Sequence, residues 1–240
     1  MVSALEIKNL SVQFSSRKGA ILAVDSLNLT VEQGQVFGFL GPNGAGKTTT
    51  IHVLLGFIKK FSGEASIFGD NVRHSIARQC IGFLPEHPDT YQFLTGRELL
   101  AMAGNLFLMH GKSLDVRIDE LLDLVELIDA ADRRISTYSR GMMQRIGLAQ
   151  SLIHDPDLLI LDEPTSGFDP LGRIRVRHII ASLRNQGKTI FFSSHELSEV
   201  ELVCDHIAII ASGRIIAGGR VRDLVKPDES LERYFLRVLS

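Results

Sequence analysis

Gln35-Val-Phe-Gly-Phe-Leu40 runs directly into Gly41-Pro42-Asn43-Gly44-Ala45-Gly46-Lys47-Thr48-Thr49, and this junction decides the fold. The first six residues form an apolar run of strand length, while Lys47 to Ile58 carries apolar side chains at helical spacing. Between them, Gly41 to Thr48 matches G-x-x-x-x-G-K-[ST] in the setting of strand, loop and helix that gives the match its meaning. Glycines in such a loop let backbone N–H groups close around phosphate oxygens. The helix start adds about half a positive charge and unpaired donors. Lys47 is then placed to reach the outer phosphates of a nucleotide. Thr48 offers a hydroxyl to Mg²⁺, a cation that prefers phosphate plus one or two protein oxygens and keeps several waters. The competing reading of the segment is a structural glycine turn.

Outward from this loop, Ala4 to Phe14 and Ile21 to Val31 alternate apolar and polar residues, which predicts β structure at the N-terminus. Cys80 to Leu84, Leu158 to Leu161, Thr189 to Phe192 and Ile207 to Ala211 are short apolar runs bounded by polar or turn residues, the pattern of buried parallel strands. From Thr95 to His154 the pattern turns helical. Thr95 and Glu98 form a candidate capping box, and Leu121, Leu122, Val125 and Leu127 fall on one helical stripe. The expected fold class is α/β: a P-loop core with a central, mostly parallel sheet, an N-terminal antiparallel β portion and an inserted α-helical subdomain. One domain is expected over 1–240, with the core from 1–88 and 155–225, the helical insertion from 89–154 and a C-terminal helix over 226–240.

Composition narrows the function. The 240 residues are 45% apolar, enough for a large core. A net charge of −2 with both signs mixed lacks the footprint of a protein that grips a nucleic acid backbone. Arg173, Arg175 and Arg177 follow Pro170 and read as a solvated helix face. Cys80 and Cys204 are far apart and belong to no CxxC pair, so neither a disulfide framework nor a zinc site is indicated. Met1 to Leu10 carries Glu6 and Lys8 where a secretion signal is apolar, and no apolar run approaches the ~18 residues of a membrane helix. A cytoplasmic chain that does not itself span a membrane is expected.

A phosphate loop that holds Mg²⁺ needs a carboxylate on a neighbouring strand, and Leu158-Leu-Ile-Leu161-Asp162-Glu163-Pro164 supplies Asp162 at a strand end. Glu163, one residue on, is a candidate to polarise an attacking water; its competing reading is a solvated turn acid. Tyr138-Ser139-Arg140-Gly141-Met142-Met143-Gln144-Arg145 precedes this strand and resembles the signature motif of ABC-type ATPases. Ser166-Gly-Phe-Asp169 resembles that family's D-loop, and His195 its switch histidine, although a lone histidine also serves as an ordinary helix-start residue. The resemblance covers nearly the whole chain, and four motifs occur in the family's order.

The resemblance implies ATP and Mg²⁺ as ligands and a two-subunit sandwich. The P-loop of one copy and Ser139, Arg140, Gly141 and Met142 of the other enclose each nucleotide. Glu163 becomes the general base, and His195 orients phosphate and water. Phe14 stands where the family stacks adenine; the alternative is a core strand residue. Ile81-Gly-Phe-Leu-Pro85-Glu86 departs from the family by placing Glu86 where glutamine is usual, and a carboxylate there approaches Mg²⁺ directly or through water. Its alternative is an exposed loop acid. Arg140 and Met142 replace a usual glycine and glutamine; Arg140 suits phosphate oxygens or points to solvent. The combination resembles a bacterial and archaeal branch that mostly serves exporters with separate permease chains. The expected partners are therefore a transmembrane permease and a second ATPase subunit, identical or related, with the chain peripheral on the cytoplasmic face. A soluble ABC-type ATPase of an assembly or repair system is the alternative; a small-molecule kinase would lack the signature segment.

Overall fold

Strands β1 (Leu5–Ser16) and β2 (Gly19–Val31) pair antiparallel, as their alternation predicts. With β4 (Ser62–Ile67) and β5 (Asp70–Asn71) they form a four-stranded sheet in the order β2-β1-β4-β5. The computed structural model describes residues 2–16, 19–88, 90–166, 168–225 and 229–239. The second sheet holds β3 (Val36–Leu40), β6 (Ile81–Leu84), β7 (Leu158–Asp162), β8 (Thr189–Ser194), β9 (His206–Ala211) and β10 (Arg214–Arg220), in the order β10-β9-β3-β8-β7-β6. All of its pairings are parallel except that of β9 with β10. Every residue of β3, β7 and β8 is buried, which is why these strands read as continuous apolar runs.

The period of two along these strands separates two cores. Val36, Leu40, Leu159, Leu161, Ile190 and Phe192 face one core, shared with the helices of the insertion. Phe37, Phe39, Leu158, Ile160 and Phe191 face the other, against the N-terminal sheet, with the Phe39 and Phe191 rings 5.4 Å apart. Helix α1 (Lys47–Leu54) is shorter than its apolar spacing predicts. Leu55 caps it and Gly56 takes a left-handed φ of 73°, a conformation that ends helices and favours glycine. The last apolar residues up to Ile58 therefore lie in a loop.

The insertion contributes α2 (Gly96–Leu106), α3 (Gly111–Leu124) and α4 (Arg140–Ser151). The capping box forms: the Glu98 N–H donates to Thr95 Oγ1 at 3.2 Å and the Thr95 N–H to Glu98 Oε2 at 2.8 Å. Leu121, Leu122, Val125 and Leu127 are all buried. Beyond β7 come α5 (Pro170–Asn185), α6 (Leu197–Val203), α7 (Val221–Leu224) and α8 (Leu231–Leu239). Arg173, Arg175 and Arg177 of α5 are more than a solvated face. Arg173 pairs with Glu196, Arg175 with Glu126 at 3.1 Å and Arg177 with Glu199 at 3.1 Å, linking α5 to the segment around α6 and to the insertion. Among the described residues no helix is long and apolar enough to cross a membrane.

Candidate functional site

Three neighbouring strands end together at one edge of the central sheet: Leu40 of β3 lies opposite Ser194 of β8, and Ser193 of β8 opposite Asp162 of β7. The glycine loop starts from this edge. A Cβ on Gly41 would fall 2.3 Å from the Ile210 carbonyl oxygen. Gly46 has φ +111°, and its Cβ would fall 2.6 Å from the Ala23 carbonyl oxygen. Only glycine fits either position. Gly46 is the N-cap of α1 and no side chain caps the helix, so its first-turn N–H groups face the loop for an anion to use.

Lys47 is buried, and its Nζ donates to the Gly41 carbonyl at 2.7 Å and approaches that of Pro42 at 3.4 Å. It lies 3.8 Å from Glu163 Oε1. Burial pushes the Lys47 pKa below its ordinary 10.5, against the pull of Glu163, Asp162 and Glu86. Thr48 Oγ1 donates to Asp162 Oδ2 at 3.3 Å, and the Ser193 hydroxyl makes a short hydrogen bond to the other Asp162 oxygen. Glu163 is buried with a left-handed φ of 50°, uncommon for a residue with a Cβ. Its N–H is held by the Ser193 carbonyl and hydroxyl oxygens, each at 3.2 Å. Glu163 Oε2 accepts from the His195 N–H at 3.2 Å, and His195 Nδ1 stands 2.8 Å away. The result is a continuous chain of contacts from Thr48 through Asp162, Ser193 and Glu163 to His195.

Asn43 to Thr49, Glu86, Asp162, Glu163 and Ala23 line an open cavity of about 190 Å³. A larger cavity, about 670 Å³, lies at the opposite edge of the sheet beside Gly34, Gln35 and His206, where strands begin. Ligands of open α/β sheets collect at the carboxyl edge of the strands, and there the smaller cavity gathers the loop, the lysine and both carboxylates. Pro42 belongs to the same loop and is exposed. Glu86 is exposed on the cavity wall, with His87 Nε2 at 3.9 Å.

The remaining sequence candidates lie elsewhere. Phe14 is 43% exposed on β1 opposite Ile21, so the core alternative for it fails; its ring does not line the cavity. Ser139 is the N-cap of α4, accepting from the Met142 N–H at 3.3 Å, with Arg140 exposed beside it. Arg140 Nη2 reaches Ser166 Oγ at 3.5 Å, and Gly141 packs near the Phe168 ring. Asp169 is the N-cap of α5, accepting from the Gly172 N–H at 2.7 Å. Gly167 of the same segment lies outside the described residues. The signature and D-loop segments thus form a second polar face, separate from the cavity. Sequence reasoning missed Ser193 and Ala23. The polar pair Ser193-Ser194 ending an apolar strand was the available signal for the first. Ala23 carries none, because only the packing of β2 against the loop brings it there.

The residues fit a nucleotide with Mg²⁺. The donors are oxygens, suited to a hard cation, and the loop is a cradle whose glycines a Cβ would fill. Among the described residues no group of three His, Cys, Asp or Glu side chains could hold a metal alone. Thr48, Asp162 and Glu86 are the side-chain oxygens on this cavity wall that such a cation would use, with phosphate and water as its remaining ligands.

The family model described as ABC transporter matches residues 24–166. The chain is 48% identical over 207 residues to an uncharacterized ABC transporter ATP-binding protein of Nostoc sp., covering 85% of this chain and 62% of that one. It is 44% identical over 220 residues to the bacitracin transport ATP-binding protein BcrA of Bacillus licheniformis, covering 90% and 69%. A solved ATP binding subunit of an ABC transporter superposes with a TM-score of 0.89 at 27% identity, over 99% of this chain and all of that one. The match spans only about three fifths of the Nostoc relative's length.

Proposed function

The chain belongs to the ABC transporter family, and from that premise we propose that it is an ATP-hydrolysing subunit that powers export across a membrane through a separate permease chain. The observation that carries the reading is the unbroken set of contacts from Thr48 to His195 around the phosphate loop. Lys47 and the first-turn N–H groups of α1 hold the β and γ phosphates. Thr48 and Asp162, with Glu86 on the same cavity wall, would hold Mg²⁺, which when bound would neutralise charge on the phosphates. Glu163 accepts the proton of the attacking water on its carboxylate. His195, hydrogen-bonded to that carboxylate, orients it and the water. Catalysis of this kind rests on positioning and charge stabilisation rather than on covalent steps of the protein.

A cavity of about 190 Å³ is smaller than the roughly 300–1,000 Å³ of pockets that enclose a ligand of nucleotide size. This supports a site completed by a second copy, whose Ser139, Arg140, Gly141 and Met142 at the start of α4 close over the γ phosphate while Asp169 lines the seam. Phe14, exposed on its strand, is available to stack the adenine. The permease is received between the core and the insertion, around Glu86 to Phe93, where Tyr91 and Phe93 are exposed and 5.8 Å apart. In this reading the chain is peripheral on the cytoplasmic face.

The test is to purify the tagged chain from membranes solubilised in mild detergent, identify what accompanies it and measure its Mg²⁺-dependent ATP turnover. A stoichiometric polytopic membrane protein is expected. ATP turnover with soluble partners alone, and no chain in the membrane fraction, would replace the transport reading by a soluble assembly ATPase.

A further inference from the structure

Between the end of α1 and the hairpin of β4 and β5, Lys59, Arg73 and Arg78 surround a cavity of about 270 Å³ whose apolar wall includes Val53, Phe61 and Val72. No carboxylate lines it. Among the described residues none of the three cations lies within 4.0 Å of one. Glu64 and Asp70, the acids of the adjoining strands, do not reach the cavity.

Three like charges around one hollow repel one another unless water or an anion compensates them. Two of them are nevertheless held in position. The Arg73 guanidinium lies 4.0 Å over the Phe61 ring and donates to the Phe61 carbonyl at 3.2 Å. Arg78 Nη1 donates to the carbonyls of Val72 at 2.7 Å and His74 at 3.1 Å. It passes so near Gly56 that a Cβ there would meet it at 2.8 Å. These contacts occupy part of each guanidinium and leave further N–H donors of the planar fork for a phosphate. Phe57, between the lining residues Gly56 and Ile58, is 66% exposed with its ring edge-on to those of His52 and Phe83, and Ile76, two residues before Arg78, is 50% exposed.

We propose that this cavity seats the phosphate of an anionic lipid headgroup, so that the chain touches the membrane directly as well as through its permease. The membrane setting rests on the transport reading above. A soluble phosphate would satisfy the cations as well; the exposure of Phe57 and Ile76, in the segments that carry the lining, favours a headgroup, because exposed apolar side chains can enter the interface there.

The experiment is sedimentation of the full chain with vesicles of phosphatidylcholine alone, and of phosphatidylcholine and phosphatidylglycerol in equal parts. Wild type is expected to partition onto the second and not the first. Lys59→Glu with Arg73→Glu should weaken partitioning at least about 25-fold, from about fivefold per basic side chain near an anionic surface. Lys112→Glu with Arg222→Glu, a pair of equal charge change on exposed sites elsewhere, should have a much smaller effect. ATP turnover should be unchanged in both. Equal losses in the two double variants, equal binding to both vesicle types, or full release by millimolar inorganic phosphate would each overturn the lipid site, as would binding that requires a membrane protein. Copurification separates this from the transport reading. A chain that brings down a permease yet ignores anionic vesicles loses only the lipid site; one that binds the vesicles without any membrane partner loses only the transport reading.

Discussion

Replacing Glu163 by Gln changes one atom and, in the function proposed above, removes the carboxylate that takes a proton from the attacking water. The amide oxygen of Glu163→Gln can still accept from the His195 N–H, now at 3.2 Å, so the left-handed turn at 163 keeps its support from Ser193 and His195. What disappears is the proton acceptor, whose contribution is typically 10²–10⁴-fold in rate, or about 3–5 kcal/mol of barrier. Loss of the charge also matters for binding. A carboxylate 3.8 Å from Lys47 attracts its ammonium by about 4 kcal/mol, gross, at an effective dielectric near 20, and it repels incoming phosphate. Removing it frees Lys47 for the nucleotide. The variant is therefore expected to turn over ATP at least about 100-fold more slowly while binding it as tightly as wild type or more tightly. Phosphate release in steady state and equilibrium titration with a fluorescent ATP analogue measure the two quantities. Turnover within tenfold of wild type, or a parallel loss of ATP affinity, would refute the assignment of Glu163 as base.

Ser193→Ala removes the hydroxyl shared by Asp162 and the Glu163 N–H, a cost of about 1–3 kcal/mol at buried partners; a lower melting temperature and a higher Mg²⁺ requirement for turnover are expected, and an unchanged Mg²⁺ dependence would count against the placement of Asp162. Lys47 titrates below 10.5 in the free chain because of burial, and bound phosphates favour its ammonium. ATP affinity should hold below that lowered pKa and fall as pH rises through it; a profile flat up to 10.5 would contradict the sign. Thr95→Ala breaks the capping box of α2 and should cost about 1 kcal/mol of stability by urea unfolding, with turnover per folded molecule little changed; no shift in midpoint would show that the cap contributes nothing.

The phosphate loop, the Asp162-Glu163 strand end, the capping box and the core strands were legible in the chain because each is a local pattern. Glycine spacing, an apolar run of strand length and a Thr followed by Glu at three residues act through backbone geometry and solvation near their own positions. Strands β4, β5 and β10 were not legible. Ser62 to Ile67 and Arg214 to Arg220 are polar or glycine-rich, and they are strands because neighbours offer them a ladder. The end of α1 was overrun because apolar spacing continues past Gly56, whose left-handed backbone overrides it.

The sequence by itself determined the fold class and picked out the glycine loop with Lys47 and Thr48 as the candidate phosphate cradle, since both follow from short-range pattern and side-chain chemistry. Only the tertiary structure decided which groups meet. The register that sets Ser193 opposite Asp162 makes an unremarked serine the link between the two carboxylates. Packing exposed Phe14, turned the α5 arginines into cross-links and held the signature segment apart from the loop. These outcomes depend on contacts between residues tens of positions apart, and such contacts are fixed only when the strands order side by side and both faces of the central sheet are covered.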